Sequence, residues 1–232
     1  MSAGPIHLQP TAPLAERVLL PGDPGRALRL AQTLLREPRM FNHHRGLWGY
    51  TGTAAVDDAP LTIQSTGMGG PSAAIVITEL AMLGAQRLIR VGTCGALDPT
   101  LALGDLVLAR EAIADDGTSR ALGATGRIAP HPDLAEAIAA GARADLRQGL
   151  VVTTDLFYDG ESREQDWAAA GALAIEMETA TLFTVAMHRN LQAASLLIVS
   201  DRVLPSRARI DPDALIQSEE RAGEIAAAAL SP

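Results

Sequence analysis

Arg17-Val18-Leu19-Leu20-Pro21-Gly22-Asp23-Pro24-Gly25-Arg26 is the stretch that decides the fold. Arg17 to Leu20 reads as a short strand that ends at a Pro-Gly turn. Asp23 then offers a side-chain acceptor at an N-cap, and Pro24 occupies the first helical position, where its fixed φ suits a helix. The spacing predicts a helix through about Leu35. A strand that turns at once into a helix is the repeating unit of α/β proteins.

The unit recurs outward along the chain. Trp48 to Thr53 and Leu61 to Ser65 read as strands joined by the turn-like Asp57-Asp58-Ala59-Pro60. Gly67-Met68-Gly69-Gly70-Pro71-Ser72 follows, then a helix from Pro71 to Leu83 closed by Gly84. Arg87 to Val91 and Leu106 to Ala109 are strands, Asp115-Asp116-Gly117 is a turn, and Pro132 to Ala144 is helical. Leu150 to Thr153 is a strand before the loop 155–160, and Leu173 to Ile175 is a short buried strand. Met177 to Arg189 is a helix, with Met177, Ala180, Thr181, Thr184 and Met187 at helical spacing. Ala194 to Val199 is the last strand, and Asp211-Pro212 opens a C-terminal helix to Leu230. Alternating strands and helices predict a mostly parallel sheet covered on both faces. At 232 residues without a Pro/Ser-rich linker, charge block or repeat, the chain is expected to form a single domain over 1–232.

Composition narrows the functions. Hydrophobic residues make up 47% and aromatics only 3%, so Ala, Leu, Val and Ile build the core, and a stacking platform for single-stranded nucleic acid is disfavoured. A net charge of −8 disfavours nucleic-acid and anionic-membrane partners. All 19 basic residues are Arg, which excludes Schiff-base and P-loop chemistry and leaves the residue that grips phosphate bidentately. The lone Cys94 forms no internal disulfide, no basic-then-apolar leader opens the chain, and no run reaches the roughly 18 apolar residues of a membrane helix. A cytoplasmic location is expected.

The turns carry the candidate chemistry, because open α/β sheets bind ligands just past the carboxyl ends of their strands. Pro21 to Arg26 puts backbone N–H groups and an Arg at a helix start, which suits an anion as well as a plain turn. Gly67 to Ser72 departs from a dinucleotide fingerprint at Ser72, and its glycines equally suit close helix–sheet packing. Arg90 ends an apolar strand beside Gly92 and Thr93; a buried charge there needs either a carboxylate or a ligand anion, and the added donors favour the ligand. Glu176 and Glu178 flank Met177 at a helix start, where carboxylates complement the helix dipole or accept from sugar hydroxyls. Asp201 follows an apolar strand, as a cap, a partner of Arg202 or a functional acid. His7, His43 and His44 show no metal spacing.

Taken in order, these turns resemble the nucleoside phosphorylase-I family, which holds bacterial purine nucleoside phosphorylases and uridine phosphorylases. The resemblance runs from about His7 to Asp201. It is closest to the hexameric purine enzymes through Pro21 to Ala27, Arg45 to Thr53, Asp155-Leu156-Phe157-Tyr158, Glu176-Met177-Glu178 and Ser200-Asp201. It implies an α/β fold whose mixed, mostly parallel sheet is partly barrel-like and flanked by helices. It implies phosphate held by Gly22, Arg26, Arg90 and Thr93, with Arg45 from a neighbouring subunit. Glu176, Met177 and Glu178 would bind ribose, with His7 from that neighbour and Met68 along the sugar. Cys94, Gly95, Phe157 and Ser200 would border the base, and Asp201 would give it a proton. The implied assembly is a hexamer, a trimer of dimers. No metal or organic cofactor is implied; inorganic phosphate is a co-substrate.

Two departures blur the base. Arg202, Arg207 and Arg209 all qualify as the arginine that assists the acid. Gly69 to Ser72 and Glu178 to Leu182 also resemble uridine phosphorylases, but Glu161 stands where those enzymes have Gln, and Asp201 suits a purine, since uracil has no N7. A nucleosidase needs no arginine cluster for its water, and a non-catalytic nucleoside-binding protein does not need Asp201.

Overall fold

The computed structural model describes residues 4–142, 146–158 and 163–231. The expected helix end at Ala144, and Asp159, Gly160 and Glu161 of the following loop, lie outside the described residues.

In chain order the elements are β1 (Arg17–Leu20), α1 (Pro24–Leu34), β2 (Leu35–Asn42), β3 (Gly49–Ala54), β4 (Pro60–Gln64) and α2 (Gly70–Met82). There follow β5 (Arg87–Ala96), β6 (Leu106–Asp115), α3 (Gly117–Ala121), β7 (Arg127–Ile128), α4 (Pro132–Gly141) and β8 (Leu146–Thr154). The last are α5 (Arg163–Ala169), β9 (Ala172–Glu176), α6 (Thr179–Arg189), β10 (Gln192–Arg202), β11 (Ala208–Arg209) and α7 (Pro212–Ala229). Asp23 caps α1 as its sequence requires, its carboxylate accepting from the N–H groups of Gly25 and Arg26.

Among the described residues, all strands belong to one 11-stranded sheet. β5 lies between β1 and β10 over its first half, both parallel to it. Its last residues pair antiparallel with β9, and β9, β8, β6 and β10 pair in turn back to β5. That circuit closes a small barrel at the carboxyl end of β5, and β1-β4-β3-β2 extends from it as an open wing.

Both faces are covered, as the period-2 geometry of strands demands. Val18, Leu20 and Leu88 pack with Val76, Leu80 and Leu182 of α2 and α6. Leu19 and Ile89, one residue on in each strand, pack with Leu30, Ile138, Ala222 and Ala226 of α1, α4 and α7.

Several expectations need correction. The Gly-Thr-Cys-Gly segment after Val91 is strand, not turn: β5 continues to Ala96 because β10 and then β9 supply partners for it. Ser200-Asp201 likewise lies within β10, at a register shift between Val199 and Asp201 of the kind that re-aims a side chain. β6 reaches Asp115 rather than Ala109, carried by its parallel pairing to β8. β2, α3, β7, α5 and β11 have no counterpart among the elements expected from the sequence. β2 is an irregular strand with Pro38 and a positive φ at Glu37, features confined to sheet edges. α6 begins at Thr179, not Met177, because Glu176 accepts from the N–H groups of Glu178 and Thr179 and opens the helix there.

Candidate active site

The carboxyl ends of β1, β4, β5, β9 and β10 surround a cavity of about 800 Å³. Every sequence-predicted site residue except His7 lines it: Gly22, Arg26, Arg45, Met68, Arg90, Thr93, Cys94, Gly95, Phe157, Glu176, Met177, Glu178, Ser200, Asp201, Arg202, Arg207 and Arg209. These residues come from turns spread over the whole chain, so the topology alone brings them together.

Arg26 and Arg90 share one end. Arg26 leaves the first turn of α1 and is only 6% exposed. Its Nε donates to Glu219 Oε1 at 2.7 Å and its Nη1 to the Val91 carbonyl at 3.3 Å. Arg90, 5% exposed, finds carboxylates, the first of the two partners its burial called for. Its Nε donates to Glu176 Oε2 at 3.1 Å and its Nη2 pairs with Glu178 Oε2 at 2.6 Å. Its Nη1 is directed to Gly22, at 3.9 Å from where a Cβ on that glycine would stand. Gly92 makes this placement possible: a Cβ there would stand 2.5 Å from Arg90 Cζ. Burial pushes the Arg90 pKa down, but the charges of Glu178 and Glu176 outweigh that and hold it above its ordinary value.

The two glutamates differ. Glu176 is saturated: Arg90 Nε, Thr153 Oγ1 at 2.5 Å, and the N–H groups of Glu178 and Thr179 all donate to it. A carboxylate offers about four acceptor sites, and these donors fill them. Among the described residues, Glu178 accepts only from the Gly69 N–H, at 2.5 Å, besides its pair with Arg90. Burial raises the Glu178 pKa against the opposing pull of Arg90. Gly67 and Gly69 both take positive φ to bring that N–H to Glu178, which explains a glycine-rich turn that is no dinucleotide loop.

Asp201 pairs with Gly95, five residues along β5 from Arg90. Ser200 Oγ donates to its Oδ2 at 2.7 Å, and Arg209 Nε lies 3.6 Å from its Oδ1. Of the three candidate arginines only Arg209 faces the acid, because it is the residue opposite Asp201 across the β10–β11 pair. Arg207 instead pairs with Glu164, and Arg202 donates to the Ser206 carbonyl. Phe157, Trp167, Ile175 and Val203 form an apolar wall beside Asp201. Cys94 is buried, and burial, with the charge of Glu176 adding to it, pushes its thiol far above the ordinary range, which leaves it no nucleophile.

Arg45 is exposed at the rim, on a one-turn 3₁₀ segment with φ 59°. Met68 and Phe157 are exposed there too, at 85% and 58%. His7 is held elsewhere: its Nδ1 bonds Glu79 Oε1 at 2.7 Å, and Glu79 also accepts from the N–H groups of Ile6, His7 and Leu8. Sequence reasoning missed Trp167, Glu164 and Val203 of the cavity wall and Glu219 behind it. Trp167 carried a weak signal as one of only two tryptophans; Glu219 carried none, lying 193 positions from Arg26.

The family model of the phosphorylase superfamily matches residues 16–231. The chain belongs to the phosphorylase superfamily. It is 42% identical over 200 residues to a DeoD-type purine nucleoside phosphorylase of Geobacillus kaustophilus, covering 84% of each chain. It is 38% identical to the DeoD-type purine nucleoside phosphorylase of Bacillus subtilis, covering 82% of this chain and 84% of the relative. Among solved structures it resembles a uridine phosphorylase from Vibrio fischeri, with a TM-score of 0.84 at 29% identity, covering 94% of this chain and 91% of that one. The mixed α/β fold with its partial barrel is thus the phosphorylase fold.

Proposed function

We propose that this protein catalyses the reversible phosphorolysis of purine ribo- or 2′-deoxyribonucleosides to the free base and the sugar 1-phosphate. The observation that carries this reading is one cavity lined by the buried Arg26 and Arg90 and also by Asp201, which pairs with Gly95, five residues along β5 from Arg90. Phosphate bound by Gly22, Arg26, Arg90 and Thr93 attacks C1′ of the sugar. The bond from C1′ to N9 breaks, and Asp201 gives its proton to N7 of the departing purine. The sugar passes through an oxocarbenium-like state, as in glycoside cleavage. Arginines that orient the phosphate dianion remove much of the entropic barrier, and a general acid contributes about 100- to 10,000-fold. Arg209 is the arginine that assists Asp201.

Glu178, with acceptor capacity left, binds the ribose hydroxyls, with Met68 and Met177 against the sugar. Glu176 serves by fixing Arg90. Phe157, Cys94, Gly95 and Ser200 border the base. Identities of about 40% to purine enzymes support the purine over the uridine reading.

The proposed assembly is a hexamer built from twofold dimers, in which His7 and Arg45 of one subunit complete the other's site. A twofold contact places the same surface on both chains, so an Arg45 at the rim of its own cavity also meets the rim of its neighbour's. Glu79 holds His7 by Nδ1, a bond that does not engage Nε2. The chemistry calls for inorganic phosphate as co-substrate and for no metal or organic cofactor. Among the described residues no helix is long and apolar enough to cross a membrane; we place the enzyme in the cytoplasm, on substrates of nucleoside salvage.

The test is base release from adenosine, inosine, guanosine and uridine, each with and without inorganic phosphate. Phosphate-dependent cleavage of a purine nucleoside is expected. Cleavage of uridine alone makes this a uridine phosphorylase, cleavage without phosphate a nucleosidase, and binding without cleavage a nucleoside-binding protein.

A further inference from the structure

Behind Arg26, outside the cavity wall, lies a buried charge cluster that the reaction as written does not use. Glu219 of α7 is 1% exposed. Its Oε1 takes Arg26 Nε at 2.7 Å, and its Oε2 takes Arg29 Nη2 at 2.6 Å and Nε at 3.1 Å. Arg29 also lies 3.6 Å from Asp23 Oδ2. Such a carboxylate is costly to bury unless its partners are well placed. The chain arranges that closeness deliberately: Gly223, one turn beyond Glu219, lets α7 approach α1 so nearly that a Cβ there would stand 2.5 Å from Leu30 Cδ2.

We infer that Glu219 is a positioning residue for the phosphate grip: it takes the Arg26 Nε while the Val91 carbonyl takes Nη1, and the two hold the guanidinium in one orientation at the cavity wall. The inference rests on the phosphorolysis reading for the identity of the anion. A free Arg side chain samples many rotamers. Clamping it in the unliganded protein means that phosphate need not supply that ordering on binding. Arg29 braces the Glu219 carboxylate through its Oε2 and does not line the cavity.

Orientation and charge summation make opposite forecasts, which gives the test its sign. Glu219→Gln removes a negative charge near the anion site; if only summed charge mattered, phosphate would bind more tightly. If Glu219 positions Arg26, phosphate binds more weakly, by about ten- to a hundredfold, the worth of one charge-assisted hydrogen bond. Arg29→Gln removes a positive charge; summed charge forecasts weaker phosphate binding, whereas positioning forecasts a change of at most about threefold, because the Arg26–Glu219 pair survives.

The experiment is calorimetric titration of the intact oligomer with inorganic phosphate, wild type against both variants. It is paired with steady-state KM for phosphate and for the nucleoside, and with a melting curve to verify folding. Expected are a raised phosphate Kd and KM in Glu219→Gln with the nucleoside KM unchanged, and a nearly unchanged Arg29→Gln. Tighter or equal phosphate binding in Glu219→Gln overturns the inference, as does an equal rise of both KM values. Should Glu219→Gln fail to fold, a marked loss of phosphate affinity in Arg29→Gln overturns it alone. A wild type that binds no phosphate overturns the functional reading instead, so the two failures are distinct.

Discussion

Gly92→Ala tests the buried arrangement on which the site depends. Gly92 lies two residues beyond Arg90 on β5, on the same face, and the guanidinium folds back across it. A Cβ at Gly92 would stand 2.5 Å from both Arg90 Cζ and Nη2, where ordinary contact begins near 3.4 Å. The guanidinium must therefore retreat by about 1 Å, a displacement large enough to cost activity about a hundredfold when it misplaces a binding group. Retreat breaks the pair with Glu178 at 2.6 Å and the bond to Glu176 at 3.1 Å. Both carboxylates are buried, and a buried pair deprived of one partner costs about 3–5 kcal/mol. In a chain of this size each kcal/mol lowers Tm by about 2–4 °C, so the expected fall is about 6–20 °C. The assay is a thermal melt together with phosphate KM in the phosphorolysis reaction. Gly141→Ala is the control, since its Cβ would meet only Ile225 Cγ2 at 3.9 Å. A Gly92→Ala protein that melts with the wild type and keeps its phosphate KM would refute this placement of Arg90.

Three further outcomes are expected. Asp201→Asn lowers kcat by about 100- to 10,000-fold with little change in phosphate KM; an active variant would take the proton donor elsewhere. Arg17 holds the Asp57 carboxyl well below the usual range through bonds at 2.5 and 2.8 Å, a lowering that burial only partly opposes. Its folded pKa lies below the unfolded one, so its stabilisation is complete above about pH 4 and fades as the pH falls further. Urea titrations should accordingly show Asp57→Asn less stable than wild type by about 1–3 kcal/mol at pH 7, with the gap shrinking toward pH 3; a gap that widens in acid contradicts this. Glu79→Ala leaves the N–H groups of Ile6, His7 and Leu8 without their acceptor. Their hydrogen exchange should quicken while that of β5 stays unchanged, and the nucleoside KM should rise; unaltered exchange at those three amides would show the segment is held by other means.

Much of the site was legible because its residues cluster in short turns after apolar runs. Asp23-Pro24 announces the helix behind Arg26, and Gly67 to Gly70 announces the backbone that meets Glu178. Less legible was whether a glycine marks a turn or a crossing. Gly92 and Gly95 read as turn residues but lie within β5, used for close approach to Arg90 and Val203. β2 was illegible because its charged residues, Pro38 and irregular register carry no alternation. Arg209 could not be told from Arg202 and Arg207, since only the pairing of β10 with β11 decides which of them faces Asp201.

By itself the sequence determined the strand–helix alternation, the caps that start α1 and α7, and the set of arginines and acids available. These follow from interactions between residues a few positions apart, which local order makes readable. Only the tertiary structure decided which acid meets which arginine. Arg90 finds Glu176 across 86 positions and Arg26 finds Glu219 across 193. A buried charge must be paired, but the chain alone does not say by whom: the closure of the barrel and the docking of α7 on α1 choose the partner.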